Sequence, residues 1–155
     1  MSNDTSLTVQ REIPSAAKDL FDVLSNPHRH TDLDGSGFMQ GLEKGDRLEK
    51  VGQKFTVNMT GPHMGGDYKT DNVVSAFDPD KMIGWKTAPV GNEPPGWEWL
   101  WELKPEGSGT TLVSLTYDWS KVTDPDLLSK IKFPLVSEHD LESSLGKLAE
   151  ATTGS

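Results

Sequence analysis

The stretch 97–103, WEWLWEL, constrains the fold more than any other part of the sequence, because it holds three of the chain's five tryptophans at alternate positions. Side chains of a β-strand alternate between two faces, so a strand places Trp97, Trp99 and Trp101 on one side, whereas a helix would scatter them. Three covered indoles are worth roughly 10 kcal/mol as an upper bound, at about 25 cal/mol per Å². The stretch therefore predicts a strand whose apolar face is covered by another layer.

Alternating patterns predict further strands. The first spans Ser6–Ile13 and is closed by Pro14, and the others fall between Phe38 and Trp119. Their alternating positions are Phe55, Val57 and Met59; Tyr68, Thr70, Asn72 and Val74; Ile83 and Trp85; and Val113, Leu115, Tyr117 and Trp119. The stretch 78–81, DPDK, has the proline of a tight turn, and 105–109, PEGSG, is typical of a hairpin loop. These strands should be antiparallel neighbours.

Helical signals flank the strands. Ser15 is a candidate N-cap for a helix that stops at Asn26 and Pro27, and Asp124 precedes a short helix that Pro134 interrupts. A longer helix should start at Ser137, and its apolar side chains have i, i+4, i+7 and i+8 spacing. These side chains are Leu141, Leu145, Leu148 and Ala149.

The apolar stripe of the last helix and the tryptophan face of the sheet both need a partner. The simplest solution lays one on the other. The predicted class is α+β: a strongly curved antiparallel sheet of about seven strands wrapped around a long C-terminal helix, with short helices after the first strand.

Composition limits the partners. The 15 basic and 24 acidic residues give a net charge of −9, and no run of Lys and Arg offsets it, which disfavours nucleic acid and anionic membranes. The absence of cysteine excludes disulfides and thiolate chemistry. No apolar run approaches the ~18 residues of a membrane span, and the amino terminus lacks the pattern of a signal peptide. We expect one cytoplasmic domain over 1–155, frayed at 1–5 and 152–155, without a cofactor.

Three stretches resemble a known family. They are IPSAAKDLFDVLSNPHRHTDLDGSG at 13–37, WLWELKPEGSGTTLVSLTYDWS at 99–120 and FPLVSEHDLESSLGKLA at 133–149. Together they resemble bacterial polyketide cyclase/dehydrase and lipid-transport proteins of the START-like (SRPBCC) helix-grip superfamily. The resemblance implies a cavity between sheet and helix for an apolar or amphipathic molecule such as a polyketide, lipid or isoprenoid.

The expected cavity lining combines bulky side chains on alternating strand positions with polar groups that orient a ligand. The candidates are Phe55, Val57, Met59, Tyr68, Asn72, Trp85, Trp99, Trp101, Tyr117, Trp119, Leu141 and Leu145. The glycine-rich stretch 60–68 lacks the lysine of a phosphate-binding loop. It is better interpreted as a loop at the pocket rim, where His63 and Met64 would control entry.

Other charged residues have less specific interpretations. His30 and Asp34 are one helical turn apart within a cluster of possible metal ligands at 28–34, but no second pair accompanies them. A solvated connector with capping by Asp34 is favoured, and no metal is expected. Arg11 shares the strand face of Val9 and either binds a ligand anion or extends its stem past the rim, which we favour. His139 is expected on a solvated face.

Two other functional classes remain open. One is a cyclase or dehydratase in which Tyr68, Tyr117, His63 or Arg11 donates a proton to a carbonyl or a departing hydroxyl. No catalytic signature supports it, and Glu98 and Glu102 should lie on the face opposite the indoles. The other is a protein-interaction module that uses the acidic surface, which a broad exposed apolar patch would favour.

Overall fold

The structure is a computed structural model that describes residues 5–34, 39–61, 65–89, 96–107, 109–123, 125 and 137–153. The elements in chain order are β1 (Ser6–Ile13), α1 (Ala17–Leu24), a 3₁₀ turn (Pro27–Arg29), α2 (His30–Leu33), β2 (Met39–Lys44), β3 (Lys54–Gly61), β4 (Gly66–Asp78), β5 (Met82–Pro89), β6 (Glu98–Pro105), β7 (Thr111–Asp118) and α3 (Glu138–Thr153). The predicted short helix after Asp124 lies, apart from Pro125, outside the described residues.

The strands form one antiparallel sheet in the order β1-β7-β6-β5-β4-β3-β2. Register shifts interrupt the β2–β3 ladder and the β4–β5 ladder between Val74 and Ala76. Such bulges bend a strand and increase its twist. At the predicted tight turn, the Lys81 N–H donates to the Asp78 carbonyl at 3.0 Å, and Asp80 has a φ of 64°. The predicted seven-stranded curved sheet and its short helices after β1 are confirmed.

Helix α3 covers the inner face of the sheet together with α1. It lies nearest to β1 and beside α1 and α2, while α1 approaches β5 and β6. At its start, Ser137 Oγ accepts from the Asp140 N–H at 3.1 Å, and Asp140 Oδ2 accepts from the Ser137 N–H at 3.2 Å. This reciprocal cap satisfies two backbone donors, and the predicted start of the helix is confirmed. The helix that packs on the tryptophan strand β6 is therefore α1, whereas α3, from which this cover was expected, lies nearest to β1.

The strand register defines two ends of the sheet, which we name after the residues of β1 that lie there, the Leu7 end and the Ile13 end. Strands β1, β4 and β6 begin at the Leu7 end, and β3, β5 and β7 end there. Hydrogen bonds close the Ile13 end: Ser15 Oγ donates to Thr152 Oγ1 at 2.9 Å, and Thr111 Oγ1 donates to the Ser15 carbonyl at 2.8 Å. The carboxyl end of α3 is thereby fixed to the Ile13 end of the sheet.

These bonds correct two predictions. Ser15 does not cap α1, because its hydroxyl is bonded to Thr152, and the N-cap position belongs to Ala16, which supplies no side-chain bond. Thr152 and Thr153 were expected in a frayed end but are helical, since α3 continues to Thr153 and Thr152 is anchored to Ser15. Among the described helices, none has both the length and the apolar character needed to cross a membrane.

Gly84 allows β5 and β6 to approach each other where the tryptophan strand passes. A Cβ at this position would lie 2.8 Å from the Trp99 carbonyl oxygen and 3.0 Å from Leu100 Cδ1. Because the nearer atom belongs to the backbone, it cannot move aside without disturbing the ladder. We expect Gly84→Ala to lower the free energy of unfolding by about 1–3 kcal/mol, as overpacking typically does. Urea denaturation measures this, and Gly109→Ala, where a Cβ meets no atom within 4 Å, is the control. Equal stability of the two variants would contradict the expectation.

Candidate functional site

An aromatic row crosses the inner face of the sheet. Trp85, Trp99 and Tyr117 are in register on β5, β6 and β7. The rings of Trp99 and Tyr117 stack with centroids 4.4 Å apart and planes inclined by 26°, and Tyr117 lies 5.5 Å from Trp119. The alternating tryptophans therefore share one face, as the sequence predicted.

Burial along this inner face differs between the two ends of the sheet. Towards the Ile13 end, Ile83 and Val113 are fully buried, whereas Phe77, the register partner of Ile83, keeps some accessible surface. At the Leu7 end, the inner-face side chains that keep accessible surface include Leu7, Met39, Met59, Tyr68 and Trp99. Trp97 and Trp119 lie just outside the strands at this end and are buried. Solvent therefore reaches the inner face at the Leu7 end, where an aromatic side chain and a thioether are partly uncovered.

Tyr68 is the polar group at the accessible end. It is half-buried, and burial, together with the negative charge of Asp34, raises the pKa of its phenol to about 12. The phenol therefore stays neutral near pH 7. This state is that of a hydrogen-bond donor rather than of a phenolate base.

Asn72 is the centre of a buried polar network. Its Oδ1 accepts from Thr87 Oγ1 at 2.6 Å, and its Nδ2 donates at 3.4 Å to Thr70 Oγ1 and to the Phe55 carbonyl. Asn72, a predicted ligand-orienting residue, thus has protein partners at both ends of its amide. Its bonds tie β3, β4 and β5 together across the inner face.

His30 is the residue that sequence reasoning placed wrongly. It was expected in a solvated connector, but it is 3% exposed because α2 turns the ring into the core. The ring stacks on Trp85 at 4.6 Å and 16°, and meets the edge of Phe55 at 5.3 Å. Its Nε2 lies 2.7 Å from the Leu24 carbonyl oxygen. Burial lowers the pKa of His30 to about 4, against a smaller opposing effect of that hydrogen bond, so the imidazole is neutral at pH 7.

The other charged residues of the stretch 28–34, which were considered as possible metal ligands, do not come together around one point. Arg29 Nε pairs with Asp32 Oδ2 at 3.2 Å, and Asp34 Oδ2 accepts from the Met39 N–H at 2.8 Å. Asp34 thus fixes the entry into β2, and it is also the C-cap residue of α2, where its N–H donates to the Thr31 carbonyl at 3.4 Å. In the part of the chain that the structure describes, no three His, Asp or Glu side chains are grouped as metal ligands would be.

The predicted lining residues fall into three sets. Nine are buried in the inner-face core: Phe55, Val57, Asn72, Trp85, Trp101, Tyr117, Trp119, Leu141 and Leu145. Three are partly exposed: Met59, Tyr68 and Trp99. His63 and Met64, the predicted rim, lie outside the described residues. That these side chains line a ligand cavity stays a prediction.

The remaining charged candidates point away from the core. Arg11 is exposed, and its Nη1 reaches α3 beside Gly146, so the stem crosses the edge of the inner face as favoured from the sequence. Glu102 and His139 are exposed. Glu98 accepts a short hydrogen bond from Ser75 Oγ, and its strand position places it opposite the indoles.

Thr70 and Thr87 complete the hydrogen-bond network around Asn72, and neither was among the candidate lining residues. Thr87 follows Trp85 by two residues, so strand alternation alone would have placed it on the same face.

Comparisons with known proteins support the fold. No family profile matches the chain. The uncharacterized protein Rv0088 of Mycobacterium tuberculosis is 32% identical over 108 residues, which cover 70% of this chain; the chain spans 45% of that relative's length. The crystal structure of DR_A0006 from Deinococcus radiodurans matches with a TM-score of 0.66 at 16% identity, covering 97% of this chain and all of that one.

A second solved structure shares the fold. Truncated norcoclaurine synthase from Thalictrum flavum matches with a TM-score of 0.61 at 18% identity, covering 94% of this chain and 91% of that one. It shares its fold with this chain, which is built from one antiparallel sheet and a long C-terminal helix. This chain therefore has the helix-grip fold that the sequence resemblance implied.

Proposed function

We propose that this protein binds a small hydrophobic or amphipathic molecule between the inner face of its sheet and helix α3, entering at the Leu7 end. The observation that carries the proposal is the group of partly uncovered side chains at the Leu7 end of the inner face. Trp99 and Met59 in this group are covered less fully than Ile83 in the middle of the core. Partly uncovered aromatic and thioether groups at one end suit a concave site for an apolar ligand.

The fold comparison supports the proposal from a second direction. A point mutant of norcoclaurine synthase from Thalictrum flavum, solved in complex with a transition-state analogue, matches this chain with a TM-score of 0.61 at 19% identity. The same architecture therefore accommodates a small molecule in at least one protein. For this chain we propose binding rather than a particular reaction, in a cytoplasmic setting that its cysteine-free composition favours.

Direct binding of a fluorescent apolar dye tests the proposal. N-phenyl-1-naphthylamine should bind with a rise in emission, and Trp99→Ala should weaken that binding about tenfold, since removing an aromatic contact from an interface commonly costs 1 kcal/mol or more. The control is Val51→Ala, which removes an exposed apolar side chain, 59% accessible, from the turn before β3. Absence of dye binding, or equal affinity in both variants, would count against the inner-face site.

A further inference from the structure

The buried ring of His30 presents one nitrogen that the protein does not use. The Leu24 carbonyl can only accept a hydrogen bond, so at 2.7 Å from it His30 Nε2 carries the proton. The imidazole is neutral, and Nδ1 therefore holds a lone pair. Nδ1 is buried and has no hydrogen-bond partner, the only such side-chain atom in the described part of the chain.

The position of this nitrogen links it to the proposed ligand site. The His30 ring is stacked on Trp85 and lies against Phe55, two inner-face residues of the predicted lining. Trp85 is paired in register with Trp99, the partly exposed indole of the accessible end. The His30 ring therefore lies on the residue next to Trp99 in the aromatic row.

Charge restricts what kind of ligand this interior accepts. The buried polar side chains among the described residues are Ser15, Ser25, His30, Thr70, Asn72, Thr87, Thr111 and Ser144. None of these carries a charge, given that His30 is neutral. A carboxylate placed among them would be desolvated without a counter-ion, whereas a hydroxyl needs only an acceptor.

We propose that His30 Nδ1 accepts a hydrogen bond from the hydroxyl group of a neutral, largely apolar ligand. The inference rests on the proposed function and adds the ligand class: alcohols or phenols in preference to ethers or carboxylates of the same size. The two bonds of the ring then act together, since the Leu24 carbonyl fixes the tautomer that leaves Nδ1 free to accept.

Isomeric competitors test the proposal against the same dye. 1-Decanol and 1-methoxynonane have one formula but differ in the hydroxyl donor, and decanoate adds a charge. We expect 1-decanol to displace N-phenyl-1-naphthylamine at about fivefold lower concentration than 1-methoxynonane, equivalent to about 1 kcal/mol for one hydrogen bond. Decanoate should be weaker than the alcohol.

Histidine variants assign the preference to one atom. His30→Phe keeps a ring against Trp85 but has no hydrogen-bond acceptor, so it should bind alcohol and ether equally. His30→Gln keeps a donor for Leu24 and an amide oxygen that can accept, so it should retain part of the preference. The control is His28→Gln, an exposed histidine two residues away, which should keep the preference. A preference that persists in His30→Phe would overturn the assignment.

The outcomes separate this inference from the proposed function. If alcohol and ether displace the dye equally from the wild type, the binding site stands and the role of His30 fails; a resident water on Nδ1 would give this result. If no competitor or dye binds, both fail. ¹⁵N NMR provides a readout that needs no variant: 1-decanol should shift the His30 Nδ1 resonance and 1-methoxynonane should not, and an unchanged resonance with bound alcohol would overturn the inference.

Discussion

Lowering the pH from 7 to 5 should cost the protein about 2 kcal/mol of unfolding free energy through His30 alone. The pKa of His30 is about 4 in the folded protein, below its ordinary value of 6.5. Between these values the unfolded chain binds a proton that the folded protein excludes. This contribution is therefore fully present above pH 6.5, is lost as the pH falls towards 4, and changes little below that.

Urea denaturation of three proteins at pH 7 and pH 5 isolates the effect. His30→Phe should lose about 2 kcal/mol less stability between the two pH values than the wild type, because no buried imidazole remains to be protonated. His28→Gln should behave like the wild type, since His28 is exposed. If His30→Phe and the wild type showed the same pH dependence, the ring would not be buried in its neutral form.

Truncating the apolar stripe of α3 should have an effect of similar or greater size. Leu145 is 1% exposed and belongs to the core that α3 shares with the sheet. We expect Leu145→Ala to cost about 2–5 kcal/mol, which combines lost burial with the cavity left behind. Val51→Ala, on the surface, should change stability by less than about 0.5 kcal/mol.

Chemical denaturation of both variants measures the difference. A loss below 1 kcal/mol for Leu145→Ala would mean that the helix is not packed on the sheet as described. Both variants shorten an aliphatic side chain to alanine, so the difference between their losses of stability reports the effect of burial.

The elements that were predictable are those whose pattern is long and one-sided. β1 has the predicted bounds, Ser6–Ile13, because its apolar residues alternate over eight positions. β2 was not resolved as a strand from the sequence, since Met39–Lys44 lies at the sheet edge and no residue in it is fully buried. Alternation arises from one-sided burial, and an edge strand without it leaves no signal.

The site was predictable in its apolar part and not in its polar part. The alternation of side chains along the strands placed Trp85 and Trp99 on one face. It cannot show which buried polar atoms have a hydrogen-bond partner. His30 was missed because α2 is only four residues long, too short for a helical period. A weaker signal was present: Leu24, Pro27, His30 and Leu33 are buried at intervals of three, as a 3₁₀ turn followed by a helix requires.

Intermolecular NOEs between unlabelled 1-decanol and ¹³C-labelled protein test the inner-face binding site most directly. We expect contacts from the decyl chain to the methyl groups of Leu7 and Met59 and to the indole protons of Trp99, the side chains that stay accessible at the Leu7 end. Contacts confined to Val51 and the outer face, or no contacts with the alcohol present in excess, would contradict the account.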